Sequence, residues 1–390
     1  DATGGMVKGP RTRTQADAGG QPQVVWRLAT ADSRPETYRQ FTYDSAGRML
    51  SETSGDGHKT RYAYDALDRV VRKTLADGTA ILTAYDPAFT GTLATGLTVE
   101  WTDAEGKAHT TAAGQRTYDG TGRLVSETCG GRTTRLEYDP GHTAPARTVH
   151  PDGRVTYGRY DPQMDEAPLS QSAVEDVPEW SWTYYPQTGL PETGSSPLGT
   201  LRWDRRRDGQ VLTETATHAG GAASHTVKNR WSDGDWLNER EEDGLTTVYA
   251  ADGAGRPVWK QAGDTVTRLA YDALGRLTRE ETVRGEQRAD TAITFDRHGR
   301  EETRTLTLTG GGQTVTQETV LAWTPGDSLA QKTVTTAEGT RTDTFSYDAR
   351  GRLTAQAVAA DTPALLPVDE HGRPYVRQTF GCDGLDNLLS

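Results

Sequence analysis

The chain sets an acid and a base four residues apart, repeatedly. In "YDALGRL" (271–277) Asp272 precedes Arg276, and Asp44 with Arg48, Asp119 with Arg123, and Asp348 with Arg352 repeat the arrangement. A carboxylate beside a guanidinium can bind an ionic ligand or position a proton. Such chemistry needs one pair in one cleft. Here the motif, in full or degenerate form, recurs about every 21 residues along most of the chain, so the pair is assigned to structure, as the closure of a turn.

The other candidate chemistry is sparse. The 8 histidines are scattered, and none pairs with another at i, i+4 beside a glutamate as a zinc motif would require. Asp233 and Asp235 in "WSDGDW" suggest a calcium loop, but the longer acidic pattern ending in Glu is missing, and a turn is expected. No G-x-S-x-G elbow occurs, and "TGGGQT" (309–314) lacks the Lys-Ser/Thr of a phosphate loop, so it reads as a long hairpin loop. No catalytic, cofactor-binding or metal residue is assigned. The expectation is a protein that is not an enzyme and uses no cofactor.

The elements that hold the acid–base pairs follow from the flanking residues. Three-residue hairpin loops put two residues near the right-handed helical region and a third at positive φ, where glycine is favoured. The turn-forming sets are therefore Tyr43, Asp44, Gly47 and Arg48; Tyr118, Asp119, Gly122 and Arg123; Tyr271, Asp272, Gly275 and Arg276; and Tyr347, Asp348, Gly351 and Arg352. In this reading Tyr271 faces Leu277 across the hairpin. Asp68 and Asp386 replace the glycine, and aspartate tolerates positive φ. Degenerate copies are anchored at Trp101, Tyr185, Trp203, Trp231 and Trp323 among others, giving seventeen in all. Between them lie Asp-Gly turns at 55–59, 76–80, 151–155 and 242–246, read as two-residue loops. The connecting segments, such as "HKTRYAY" (58–64) and "RTDTFSY" (341–347), are Thr-rich and alternating, which predicts strands.

Composition bounds what such strands can build. Leu, Ile, Val and Phe number 59 of 390, with only two Ile, while 9 Trp and 15 Tyr supply bulk. A net charge of -12 is small for this length, so a folded protein with a thin core is expected rather than a disordered one. The mild acidity argues against nucleic acid or an anionic membrane as partner. No apolar run reaches the ~18 residues of a spanning helix, and no signal-peptide core is seen. Cys129 and Cys382 make neither a disulfide framework nor a metal pair. Residues 1–22 are expected as a linker or flexible tail and 23–390 as the repeat array, interrupted at 161–180 and 359–376. Some 34 strands at ~4.8 Å spacing make a ribbon ~160 Å long, which must twist and coil. A coil of that circumference is far wider than side chains can fill. The predicted fold is all-β: continuous antiparallel β-hairpin repeats coiled into a hollow β-spiral shell.

The Y-D-x-x-G-R motif with intervening Asp-Gly turns, over residues 24–390, resembles the YD repeats of RHS proteins, bacterial toxin-complex shells and, more distantly, teneurins. The resemblance implies a shell segment of a bacterial polymorphic toxin protein that encloses a C-terminal toxin polypeptide before delivery by a secretion system. The implied partners are that toxin, the remaining shell segments and secretion-complex components. The family's D-P-x-G self-cleavage segment has no match here, and no globular toxin follows Ser390. A second reading is a cell-surface adhesion module, in which Trp101, Trp203, Trp231, Trp236 and Trp259 stack on carbohydrate or a receptor.

Overall fold

The computed structural model describes residues 11–28, 36–103, 105–221 and 224–388. Among these the chain forms 31 strands and one 3-10 turn, Pro363–Leu365, with no α-helix. Successive strands pair antiparallel, as in Glu36–Tyr43 with Met49–Ser54 and Gln287–Phe295 with Glu301–Gly310. The protein is all-β, a meander of hairpins, as its alternating Thr-rich segments predict. Tyr43 pairs with Met49, Tyr118 with Leu124 and Tyr347 with Leu353, matching the expected aromatic–aliphatic partners. In each case the register shifts by one residue just beyond that pair, leaving Leu50, Val125 and Thr354 as bulges on the returning strand.

Two expectations about turns are corrected. The Asp-Gly sequences at 55–59, 76–80 and 151–155 are three-residue loops, not two. Ser54, Leu75 and His150 donate their N–H to the carbonyls of His58, Thr79 and Arg154, with Gly57, Gly78 and Gly153 at positive φ. Only Asp243-Gly244 of the four is a two-residue turn with both residues at positive φ, between paired Glu242 and Leu245. An Asp-Gly pair supplies one residue sure to accept positive φ, and the flanking strand register decides whether both are used. Conversely, "TGGGQT" is not a long loop: Gly310 pairs with Gln313, leaving Gly311-Gly312 as a tight turn.

The N-terminal boundary also moves. Arg11–Ala16 is a strand paired with Pro22–Leu28, and the loop between them, Asp17 to Gln21, repeats the Asp-closed turn with Gly20 at positive φ. Residues 11–22 are thus part of the ribbon; the rest of the expected tail lies outside the described residues. "ADAGGQ" (16–21) has Ala and Gln where other copies have Tyr and Arg, which hid it.

The chain divides into two compact units. One comprises Asp1–Ala113 with Arg268–Ser390, the other Gly114–Thr267. Within the first, residues far apart in sequence meet. Arg27 donates to Asp327 at 2.6 Å across 300 residues, and Thr324 donates to Asp56 at 3.2 Å across 268. Glu36 accepts from both Arg297 and His298, and Arg350 lies 3.7 Å from Asp77. The ribbon of this unit therefore returns upon its own earlier hairpins, setting the Asp-closed turns of the later pass against the opposite turns and strand ends of the earlier one.

Little of this is core in the ordinary sense. The buried apolar residues are Ala80, Val99, Val227, Ile293, Ala355 and Val358, and among the described residues no large side chain is fully buried. Interior packing of this kind contributes little compared with an ordinary domain, where large buried side chains dominate. Hydrogen bonding between repeats must carry a correspondingly larger share.

Candidate functional site: a ladder of turns

The repeated turn is built around one carboxylate. Asp44 Oδ1 accepts the N–H of Ala46 and of Arg48, both at 2.9 Å, while Oδ2 accepts Arg48 Nε at 2.7 Å. Asp119, Asp272 and Asp348 do the same with Arg123, Arg276 and Arg352. Gly47, Gly122, Gly275 and Gly351 hold φ of 84°, 85°, 82° and 81°. The backbone closes with Asp272 donating to the Arg276 carbonyl at 2.9 Å and Gly275 donating to Asp272 at 3.0 Å. Asp68 and Asp386 take the glycine position at φ 60° and 67°, as expected, and Asp235 and Asp327 do likewise at 61° and 71°.

These bonds set the carboxyl pKa values. The Arg48 N–H and guanidinium hold Asp44 below the usual aspartate range. At Asp119 the Thr121 hydroxyl and Arg123 drive it well below that range. At Asp272 and Asp348 burial pushes upward, but the bonds from Arg276 and Arg352 prevail and both carboxyls remain low. Such carboxylates are poor general bases, since a useful base needs a pKa near the working pH.

The arginine also reaches the neighbouring repeat. Arg48 Nη1 bonds Asp68 at 2.8 Å, Arg123 Nη1 bonds the His142 carbonyl at 2.6 Å, and Arg352 Nη1 bonds the Asp383 carbonyl at 2.7 Å. Where the next repeat offers an aromatic ring the guanidinium lies over it: Arg48 over Tyr64, Arg123 over Tyr138 and Arg276 over Phe295, at 5.2, 4.6 and 4.2 Å. The tyrosine hydroxyls return the link. Tyr64 donates to the Met49 carbonyl at 2.7 Å, Tyr138 to Leu124 at 2.6 Å and Tyr347 to Leu329 at 2.8 Å. Tyr43 donates to Pro22 at 3.0 Å. Sequence reasoning found the Asp–Arg closure but missed this second half; the signal was the constant aromatic one residue before each Asp.

Several degenerate anchors shift. The turn near Trp203 is closed by Arg206 and Gln210, so Arg205 holds the aromatic's place; that near Trp101 is closed by Asp103 and Lys107; and at Tyr185 the tyrosine itself occupies the Asp position. The tryptophans assigned to ligand stacking are mostly engaged. Trp101 stacks on His109 at 5.1 Å, Trp203 Nε1 bonds Glu214 at 2.9 Å, and Trp231 Nε1 bonds the Val211 carbonyl at 2.9 Å. Trp236 lies over Gly255, where a Cβ would meet it at 3.2 Å. Trp259 is half-buried on the strand Pro257–Ala262. Among the described residues no three His, Cys, Asp or Glu side chains gather to hold a metal, and Asp233 sits in an ordinary turn closed by Ser232 and Trp236. No helix among them is long and apolar enough to cross a membrane.

Residues 43–80, which hold two of these turns, match the RHS Repeat family profile. The chain is similar in structure to TcdB2-TccC3-Cdc42, with a TM-score of 0.57 and 16% identity over 97% of this chain and 21% of that one. It is also similar to TcdB2-TccC3 without its hypervariable C-terminal region, with a TM-score of 0.51 and 14% identity over 97% and 23%. It spans less than a quarter of either chain, and at such identities the likeness is one of fold. No curated protein sequence matches it. Residues 43–80 thus carry an RHS repeat, and the turn ladder extends the same local design along a chain that shares its fold with these structures.

Proposed function

We propose that this chain is a segment of shell wall in a bacterial RHS/YD-repeat toxin protein, enclosing and sequestering a C-terminal toxin or effector polypeptide before delivery. The observation that carries the reading is the absence of any fully buried large side chain among the described residues of a ribbon that is bonded repeat to repeat and returns upon itself. A sheet stabilised along its length needs no packed second layer, so its faces stay available to a guest. The wall acts by confinement: it excludes volume, and a trapped polypeptide cannot reach an expanded or active state. One similar structure was solved without a hypervariable C-terminal region, which fits a partner joined at that end. In this reading the chain does no chemistry, its partners are the enclosed polypeptide and the remaining shell, and it is exported by a bacterial secretion system. The test is limited proteolysis of the full parent assembly carrying its C-terminal polypeptide. Protection of that polypeptide until the shell is opened is expected; immediate digestion would refute enclosure.

One observation favours a second reading, carbohydrate recognition. Trp182 and Trp203 both lie against Gly194, at 3.4 and 3.8 Å from where a Cβ would stand, and Trp180 beside them is exposed. Flat aromatic surfaces of this kind stack on sugar rings. Glycan-array binding that is lost in Trp182→Ala would support it.

A further inference from the structure

A concave cavity in the unit Gly114–Thr267 adjoins the turn ladder at Tyr138 and His142, which Arg123 contacts, but the enclosure reading makes no use of it. Its floor is the sheet around Tyr138, Tyr157 and Tyr160, and its rim is the loop 173–179 that follows the strand Ala167–Ser172. Gly158 makes room for it, since a Cβ there would stand 2.7 Å from the Tyr160 hydroxyl. The loop is tied down by an ion pair between Asp176 and Arg159.

The charges lining the cavity do not balance. Arg147 pairs with Glu137, and Arg159 with Asp176, which leaves Asp139 and Glu175 with no side-chain partner. Two lining arginines thus face four carboxylates, and Arg123, which covers Tyr138 and bonds the carbonyls of Asp139 and His142, adds a third cation at the edge and leaves the balance negative. Glu166 stands behind the wall, where it accepts the N–H of Thr143 at 2.7 Å and of Ala144 at 2.6 Å and lies 3.3 Å from His142 Nδ1. Tyrosine faces combined with spare carboxylates are the surroundings that favour an organic cation over an anion or a neutral group.

We propose that this cavity binds the guanidinium or ammonium group of an arginine or lysine side chain on an extended peptide, with Asp139 and Glu175 as the charge partners and the tyrosines as the walls. Arg159 then acts as a competitor: it occupies Asp176 and holds the loop over the mouth. The inference does not depend on which polypeptide, if any, the protein encloses.

The probe is a hexa-arginine peptide titrated calorimetrically into the whole chain at low ionic strength, with hexa-glutamate as counter-probe. Hexa-arginine is expected to bind and hexa-glutamate not. Asp139→Asn with Glu175→Gln should weaken binding roughly fivefold, as for two partly exposed ion pairs. Glu286→Gln with Glu338→Gln, an exposed pair elsewhere, should leave it unchanged. Arg159→Leu should tighten binding, because it frees the Asp176 carboxylate. Thermal melts check folding, and Glu175→Gln alone substitutes for a double variant that melts early. No binding, equal weakening by the two pairs, or loss of affinity in Arg159→Leu would each overturn the proposal.

Discussion

A valine at Gly275 would have to hold a φ of 82°, where its branched Cβ clashes with the following carbonyl. Gly275→Val is expected to cost ~1–2 kcal/mol in denaturant unfolding, and Gly275→Asn clearly less. Asp68 and Asp386 made that tolerance legible in sequence; Asp235 and Asp327, each preceded by a glycine, hold the same conformation without having been read that way. Arginine at the turn's end is expected to resist replacement by lysine. Arg123→Lys keeps a charge for Asp119 but loses the fork that also reaches the His142 carbonyl and covers Tyr138, and should cost about 1 kcal/mol. The same bonds fix the pH window. The aspartates have folded pKa values below the unfolded ~3.9, so their contribution is complete above about pH 5 and is lost as pH falls through the folded values. Tyr43, Tyr64, Tyr138 and Tyr347 are raised by burial above the unfolded ~10, so theirs is complete below that value and lost as pH rises through the folded ones. Chemical unfolding across pH should show a plateau between these limits, and a maximum near pH 4 would contradict the ladder.

At the scale of the hairpin, the strands were legible because their alternation and turn residues agree, and the all-β assignment needed nothing else. The turn lengths were not. "SGDGH" and "EEDGL" both carry Asp-Gly, yet one closes a three-residue loop and the other a two-residue loop, since strand register is set by the partner and not by the turn alone. Aromatic-Asp pairs were similarly ambiguous where two candidates adjoin, as at "RWDRRRDG", whose turn uses Arg206 and Asp208 and not Asp204. Glycines outside the positive-φ position had a reason invisible in sequence. Gly384 is buried against Trp101, whose ring a Cβ would overlap, although the two stand 283 positions apart. Gly384→Leu should therefore lower thermal stability, and Trp101→Ala in the same chain should recover part of the loss. Gly120→Leu, where nothing stands within 4 Å, should have little effect.

For the molecule as a whole, the sequence argument rested on twist: a long ribbon with few apolar residues must curl. The unit formed by Asp1–Ala113 and Arg268–Ser390 gives that curl a physical address, since residues separated by 261 to 300 positions are joined there by Arg27–Asp327, Arg297–Glu36 and Thr324–Asp56. No local pattern encodes such partners, because each end of the seam looks like any other turn. Asp327 is held low first by Arg27 and then, against burial, by Arg300, so one carboxylate serves both the junction and the link from the preceding repeat's arginine. A covalent bond across this seam probes the return most directly. A Cβ built on Gly326 would stand 2.7 Å from the Asp56 Cγ, within disulfide reach. In a chain with Cys129→Ser and Cys382→Ser, the pair Asp56→Cys and Gly326→Cys is expected to oxidise within one molecule, giving a faster-migrating monomer on non-reducing gels and a higher melting temperature. Free thiols after mild oxidation, or bonding only between molecules, would contradict a ribbon that comes back to meet itself.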